Sequence, residues 1–363
     1  MTLPSPAPIR PFSSVGALLA LALFPALAGP SLAAEGMKQT EAAPAAATGR
    51  VRDVPAVEAV DPATLKPGAI VFTDYRDKPE NPESGLTPFK DWARLRPAEA
   101  AALTPFAGYK EPDYTTTVNG VSKPRHEALK VYVAKARFVV ARPAEGIDLN
   151  AFANLAFVQA MDPAIKHRVL NPAEVTPTKD PAAAFARRPD RPWCAEGLCI
   201  ESRYDLEGKL PLGVRLANKL EEGDRKKIAE FVSFQSELRV LPPAEAAGLS
   251  EFTGVATPVT GALRQTIFWV NQILRFGTFL AVVQPVPGDP QRAVVSVSMA
   301  LAVKADVLDR KAEYARVPVL KNLLPAQVLM GNSSFNTGSS ISAGLPTYAR
   351  NRVAAFADAL ARR

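Results

Sequence analysis

The sequence predicts an α+β protein: an antiparallel β-sheet with flanking helices, arranged in two related halves and ending in an amphipathic helix. Three observations predict it. Several segments alternate apolar and polar residues at the period of a strand. Prolines number 34, nearly twice the usual share of ~5%, which favours many short elements over a long helical bundle. A stretch near residue 97 also recurs, without a gap, near residue 243.

The chain opens like a secretory leader. Arg10 gives a positive start, an apolar run follows from Val15 to Leu27, and Gly29-Pro30-Ser31-Leu32-Ala33-Ala34 supplies small residues for cleavage after Ala33 or Ala34. The apolar run is broken by Gly16 and Pro25 and falls short of the roughly 20 residues a spanning helix needs. Residues 1–33 are therefore expected to be a signal peptide, and the mature chain to reach the periplasm or the exterior with no transmembrane segment. Residues 34–62, rich in Ala, Pro and small polar residues, read as a tether. Residues 63–193 and 194–363 then form the two halves.

The echo sets the expectation of related halves. Pro97-Ala98-Glu99-Ala100-Ala101-Ala102-Leu103 matches Pro243-Ala244-Glu245-Ala246-Ala247-Gly248-Leu249, and Phe106 and Gly108 match Phe252 and Gly254. Proline in a first turn, followed by a glutamate near the positive end of the helix dipole, starts a short helix in each half. Gly108 and Gly254 are expected to stop them. The match resumes where Leu149, Ala151, Ala153, Leu155 and Phe157 fall on Val295, Val297, Met299, Leu301 and Val303. Residues 94–160 are thus expected to superpose on 240–306.

Strands follow from alternation. Tyr132, Ala134, Ala136, Phe138 and Val140 alternate with a row containing Lys135 and Arg137, the pattern of a half-buried strand. Residues 162–193, with many prolines and mixed charges, read as the connection between halves. Residues 200–207 and 232–240 alternate in the same way as the earlier strand. The segment 263–276 fits two readings: Leu263, Ile267, Val270 and Leu274 share a helical face, while its branched and aromatic residues suit a strand; helix is preferred, since Gly277 would end it. Thr278 to Val283 and Val294 to Val303 form a hairpin around Pro287-Gly288-Asp289. In its second arm bulky residues alternate with Ser296, Ser298, Ala300 and Ala302, a small face suited to lie under a helix or a ligand. Ala349, Val353, Phe356 and Leu360 form one face of a C-terminal helix over 348–360.

Charge restricts the partners. The formal net charge is +7, or +6 once Arg10 leaves with the leader. The bases of Arg215 to Lys227 are interleaved with Glu221, Glu222 and Asp224, a solvated face. No basic stripe with interleaved aromatics is visible, so no nucleic-acid partner is expected.

Candidate chemistry is sparse. Cys194 and Cys199 form a close pair, which in an exported chain reads as a disulfide. Closing so small a ring is worth about 2 kcal/mol, enough to pin a local hairpin. His126 and His167 have basic neighbours and read as surface residues. No metal centre and no cofactor is expected. Asp74 and Asp77, followed by Glu80 and Glu83, lie among prolines and read as an exposed loop. The segment 331–344 is dense in small polar groups, with Asn332, Ser333, Ser334, Asn336 and Thr337 as a candidate polar site. It has no Walker lysine and no nucleophile-elbow glycines. The expected function is therefore a non-catalytic exported envelope protein that binds a small apolar or amphipathic ligand or a protein partner. The alternatives are a hydrolase using a serine of 331–344, which needs one of the two histidines beside it, and a structural role in envelope assembly.

Overall fold

The computed structural model describes residues 57–74, 86–118, 121–163, 165–175, 193–205, 231–270, 274–305 and 341–362. The expected leader lies outside the described residues, as do most of the tether and the charged stretch 215–227.

Eleven strands are described: β1 (Ile70–Asp74), β2 (Leu86–Pro88), β3 (Asp113–Val118), β4 (Val121–His126), β5 (Leu129–Val140), β6 (Lys166–Val169), β7 (Leu198–Asp205), β8 (Phe231–Val240), β9 (Gly261–Val270), β10 (Leu274–Val286) and β11 (Asp289–Lys304). The helices are α1 (Phe89–Leu95), α2 (Pro97–Leu103), α3 (Leu155–Met161), α4 (Pro243–Ala247), α5 (Ser250–Thr253) and α6 (Ile341–Arg362). Nine of the strands make one antiparallel sheet, ordered β1-β5-β11-β10-β9-β8-β7-β6, with β2 also paired to β5. β3 and β4 form a separate two-stranded ribbon.

The α+β reading therefore describes the chain, and the sheet runs without a break across the expected boundary between halves. One face of β5, β11 and β10 presents Phe138, Val297, Met299 and Phe279 to α3 and α6. The other presents Val131, Val133, Ala300, Ala302 and Val282 to α1, α2 and α4. The small side of β11 thus lies under helices. Phe356 of α6 meets Phe138, Phe152, Phe157 and Phe279 edge-on, with centroids 5.5–6.4 Å apart. Ala349, Val353, Phe356 and Leu360 are all buried, as the spacing predicts. The helix starts before Pro346 rather than after it, giving up one backbone hydrogen bond while Leu345 and Pro346 are buried.

Several expectations need correction. The segment 263–276 is strand, not helix: β9 pairs with both β8 and β10, and its branched and aromatic residues suit a sheet buried on both faces. Gly277 is a strand residue that lets Leu301 and Ile267 close over it. The connection 162–193 contains the edge strand β6. The expected tether ends earlier than 62, because residues 57–59 form a 3-10 turn with Val57 buried. α2 and α4 both start at Pro-Ala-Glu and pack on the same sheet face. The first helix stops at Leu103, before Gly108; Gly254 does cap α5, with φ +66°. The later match fails: Leu149–Phe152 is a 3-10 turn and Leu155–Met161 a helix, whereas Val295 to Val303 is strand. Apolar residues spaced alike at those positions serve two different periods.

Cys194 and Cys199 are joined, with Cα atoms 5.2 Å apart. They pack with Trp193, Leu170 and Phe268, and Trp193 stacks on Phe268 at 4.4 Å between centroids. Between the cysteines the chain presses on β8. A Cβ at Gly197 would lie 2.8 Å from Glu237 Cγ and from the Leu238 carbonyl oxygen. Backbone cannot rotate away as a side chain does. Gly197→Ala should therefore destabilise the protein by about 1–3 kcal/mol, read from the denaturant midpoint. Gly146→Ala, where a Cβ meets nothing within 4 Å, should change it by less than about 0.5 kcal/mol.

Candidate functional site

The candidate loop residues Asn332, Ser333, Ser334, Asn336 and Thr337 lie outside the described residues, as do Asp77, Glu80 and Glu83. Asp74 is not in a loop: it ends β1 and accepts from the Tyr132 hydroxyl at 3.2 Å. His167 is half-buried rather than a surface residue, whereas His126 is exposed as expected but held between two carboxylates. The two histidines belong to two of three polar clusters that the fold assembles.

The first cluster lies beneath α6. Arg352, only 3% exposed, follows Ala349 by three residues and so falls on the helix's buried stripe. Its guanidinium donates to Asp162 at 2.7 Å, to the Tyr348 hydroxyl at 2.8 Å, and to Gln265. Gln265 in turn donates to Ser236 at 2.9 Å. Burial pulls the Arg352 pKa down, but Tyr348 and Asp162 outweigh it and hold it above the usual value. Burial raises the Tyr348 pKa, so the phenol stays protonated at neutral pH. Nearby, His167 Nδ1 shares a hydrogen bond with Ser202 Oγ at 2.8 Å. Burial pushes this imidazole below its ordinary value, with Asp162 opposing and Arg352 reinforcing the shift. A recess of about 210 Å³ opens beside Arg352, Gln265 and Tyr348, but its interior has room for about one water. Ser202 is fully buried on a mid-sheet strand, so the Ser202–His167 pair lacks the exposed nucleophile that acyl transfer needs.

The second cluster lies on the opposite face. Lys135 bridges Glu58 at 2.5 Å and Glu99 at 2.8 Å, and Trp92 Nε1 donates to Glu99 at 2.6 Å. Arg137, 2% exposed, donates to the carbonyls of Val60 at 3.0 Å and Thr253 at 2.6 Å. Burial pushes Glu58 up, yet its bond to Lys135, its own backbone and Arg137 bring it below the usual carboxylate value. Burial lowers the Arg137 pKa, with Glu58 opposing.

The third cluster holds the base of the β3–β4 ribbon. His126 sits between Asp113, 2.8 Å from Nδ1, and Glu111, 3.0 Å from Nε2. A carboxylate can only accept, so both ring nitrogens must donate, which is the imidazolium form. The bonds to Asp113 and then Glu111 raise the His126 pKa. Glu111 also accepts from the Leu129 amide at 2.7 Å and faces Lys90 at 3.6 Å. Glu127 pairs with Arg275 and, at 3.8 Å, with Lys304.

Sequence reasoning missed Arg137 and Arg352. Lys135 and Arg137 looked like a solvent face because they alternate with apolar residues. The available signal was that Val131, Val133 and Val139 share their row. Arg352 was legible as a charge on the apolar stripe of its helix. Among the described residues no group of His, Cys, Asp and Glu side chains is placed to hold a metal ion, and no helix is long and apolar enough to cross a membrane. No family model matches the chain, and no curated protein matches it either.

Two predictions follow from these clusters. Removing Asp162 alone, as in Asp162→Leu, strands a buried guanidinium and should cost about 3–5 kcal/mol. Adding Arg352→Met should recover most of that loss, measured by a double-mutant unfolding cycle. The histidines should act on stability in opposite directions with pH. His167, with a lowered folded pKa, stabilises above the ordinary histidine value, and this contribution is lost as pH falls below it. His126, with a raised folded pKa, stabilises below that value and loses its contribution as pH climbs through the raised one. His167→Gln should flatten the acid limb of the stability profile, whereas His126→Gln should flatten the decline on the alkaline side.

Proposed function

We propose that this chain is an exported, non-catalytic protein that works by engaging a protein partner through the β3–β4 ribbon. One observation carries the reading: β3 and β4 pair with each other and sit apart from the nine-stranded sheet. Asp113, Thr115, Val121, Ser122, Lys123, Pro124 and His126 along it are exposed, with Val121 at 56%. An isolated two-stranded hairpin is marginally stable in water. A ribbon pinned at its base by the His126 clasp, with these side chains exposed, suits a surface that becomes covered on association.

Other features fit the same reading. A cysteine pair joined in a disulfide suits an oxidising compartment, in keeping with the leader-like start. The placement of α2 and α4 on one sheet face supports two halves of related origin, with the likeness ending before residue 149. The small-ligand reading draws no support from the recess under α6, whose interior has room for about one water. The hydrolase reading draws none from the histidines, since both ring nitrogens of His126 are bound by carboxylates and His167 is hydrogen-bonded to the buried Ser202.

The test is site-specific photo-crosslinking from Val121 or Lys123, with the full chain expressed in the cells that make it and recovered from the envelope fraction. A discrete adduct with one protein, weakened several-fold when His126→Gln loosens the ribbon base, is the expected result. Absence of any adduct from either position, with the folded chain present in that fraction, overturns the proposal.

A further inference from the structure

The two edges of the β3–β4 ribbon differ in their backbone chemistry. The Glu127 amide donates to the Pro112 carbonyl at 3.0 Å, one step beyond the directly opposed Asp113 and His126. Opposed pairs in an antiparallel ladder alternate between bonded and unbonded. Tyr114–Arg125 and Thr116–Lys123 are therefore bonded across the ribbon. Asp113, Thr115 and Thr117 on β3, and Ser122, Pro124 and His126 on β4, turn their backbone groups outward. Pro124 has no N–H, so the outer edge of β4 is interrupted at its centre. The outer edge of β3 is continuous, each outward residue carrying a donor and an acceptor. Among the described residues no strand lies beside it, and Asp113 and Thr115 are exposed. Such a row is a template for another strand.

The occupant must be extended, with backbone groups free at alternate positions and no acid opposed to Asp113. β3 of a second copy meets each condition. A two-fold axis at Thr115 sets this residue opposite its own equivalent and Asp113 opposite Thr117, each opposed pair exchanging two hydrogen bonds. Opposed threonines favour pairing. The one charge on the edge, Asp113, is already held by His126 of its own ribbon at 2.8 Å. A foreign segment therefore finds no free ion-pair partner there, whereas self-pairing needs none. Lys123 of the two copies would stand three strand spacings apart, ~14 Å, beyond the screening length of ~8 Å. Glu111 ties each ribbon base to His126 and to the Leu129 amide that starts β5, so antiparallel pairing puts the two nine-stranded sheets at opposite ends of the seam.

We propose that the partner engaged by the ribbon is a second copy of this chain, joined β3 to β3 about a two-fold axis at Thr115; the inference rests on the ribbon being the docking surface.

The two native cysteines are joined, so an introduced cysteine supplies the free thiol. Thr115→Cys places two thiols on the axis, with Cα atoms about 5.5 Å apart, within disulfide reach. The purified full chain carrying it should link into dimers under diamide. Val121→Cys, exposed on β4, should not, because its equivalents lie at least ~14 Å apart. Thr115→Pro removes an outward N–H and spares the bonds to β4, as Pro124 does opposite it. It should raise the dimer dissociation constant at least about tenfold in sedimentation. Amide exchange at Thr115 and Thr117 should slow several-fold as protein concentration rises. A monomer at every accessible concentration, equal linking from both cysteines, or unchanged dimerisation of Thr115→Pro each overturns the proposal. If Thr115→Pro does not fold, the cysteine pair and the amide exchange decide it. A photo-adduct from Val121 with a different protein, without a Thr115→Cys dimer, overturns the second copy and leaves the ribbon as the docking surface. Neither adduct nor dimer overturns both.

Discussion

The constraint on which the structure depends is that its central strands are covered on both faces. β11 meets this by asymmetry. Val295, Val297, Met299, Leu301 and Val303 fill the side under α6, while Ser296, Ser298, Ala300 and Ala302 leave space on the other. Interiors pack at crystal-like density, so large residues on one side allow a long helix to ride high, and small residues on the other bring α1 and α2 close. The order of the layers follows from that one strand and its partner β10.

Covering both faces forces a second consequence. Polar residues that alternate with apolar ones on such strands have no solvent to reach. Lys135 and Arg137 on β5, and Ser233, Gln235, Glu237 and Arg239 on β8, must find partners inside the protein. They find them on remote segments or, for Arg239 with Glu245, six residues further along the chain. Arg137 takes carbonyls from Val60 and Thr253, and Arg239 pairs with Glu245 at 2.7 Å and Glu196 at 3.4 Å. Ion pairs with half-exposed carboxylates such as Glu196 and Glu245 add little net stability. Their effect here is positional: each fixes one peripheral segment against one register of the sheet.

The β3–β4 ribbon obeys the opposite rule. Asp113, Thr115, Val121, Ser122, Lys123, Pro124 and His126 face solvent, and its fixed point is electrostatic, a protonated imidazole between two carboxylates.

The sequence by itself determined that 132–140, 200–205, 232–240, 278–283 and 294–303 are extended, where the β10–β11 hairpin turns, which face of α6 is apolar, and that two cysteines five residues apart would join. These are local matters of side-chain spacing and backbone preference. Only the tertiary structure decided which polar faces meet water. Alternation shows that two faces differ, but a second layer of helices can cover the polar one. That is why Arg137 reads as solvent-facing and is buried, why Lys135 is only partly exposed, why 263–276 reads as a helix and is strand, and why His126 reads as a surface residue and is clasped there. In each case the deciding neighbour, Glu58, β8 or Glu111, comes from elsewhere in the chain, and spacing along one segment carries no information about it.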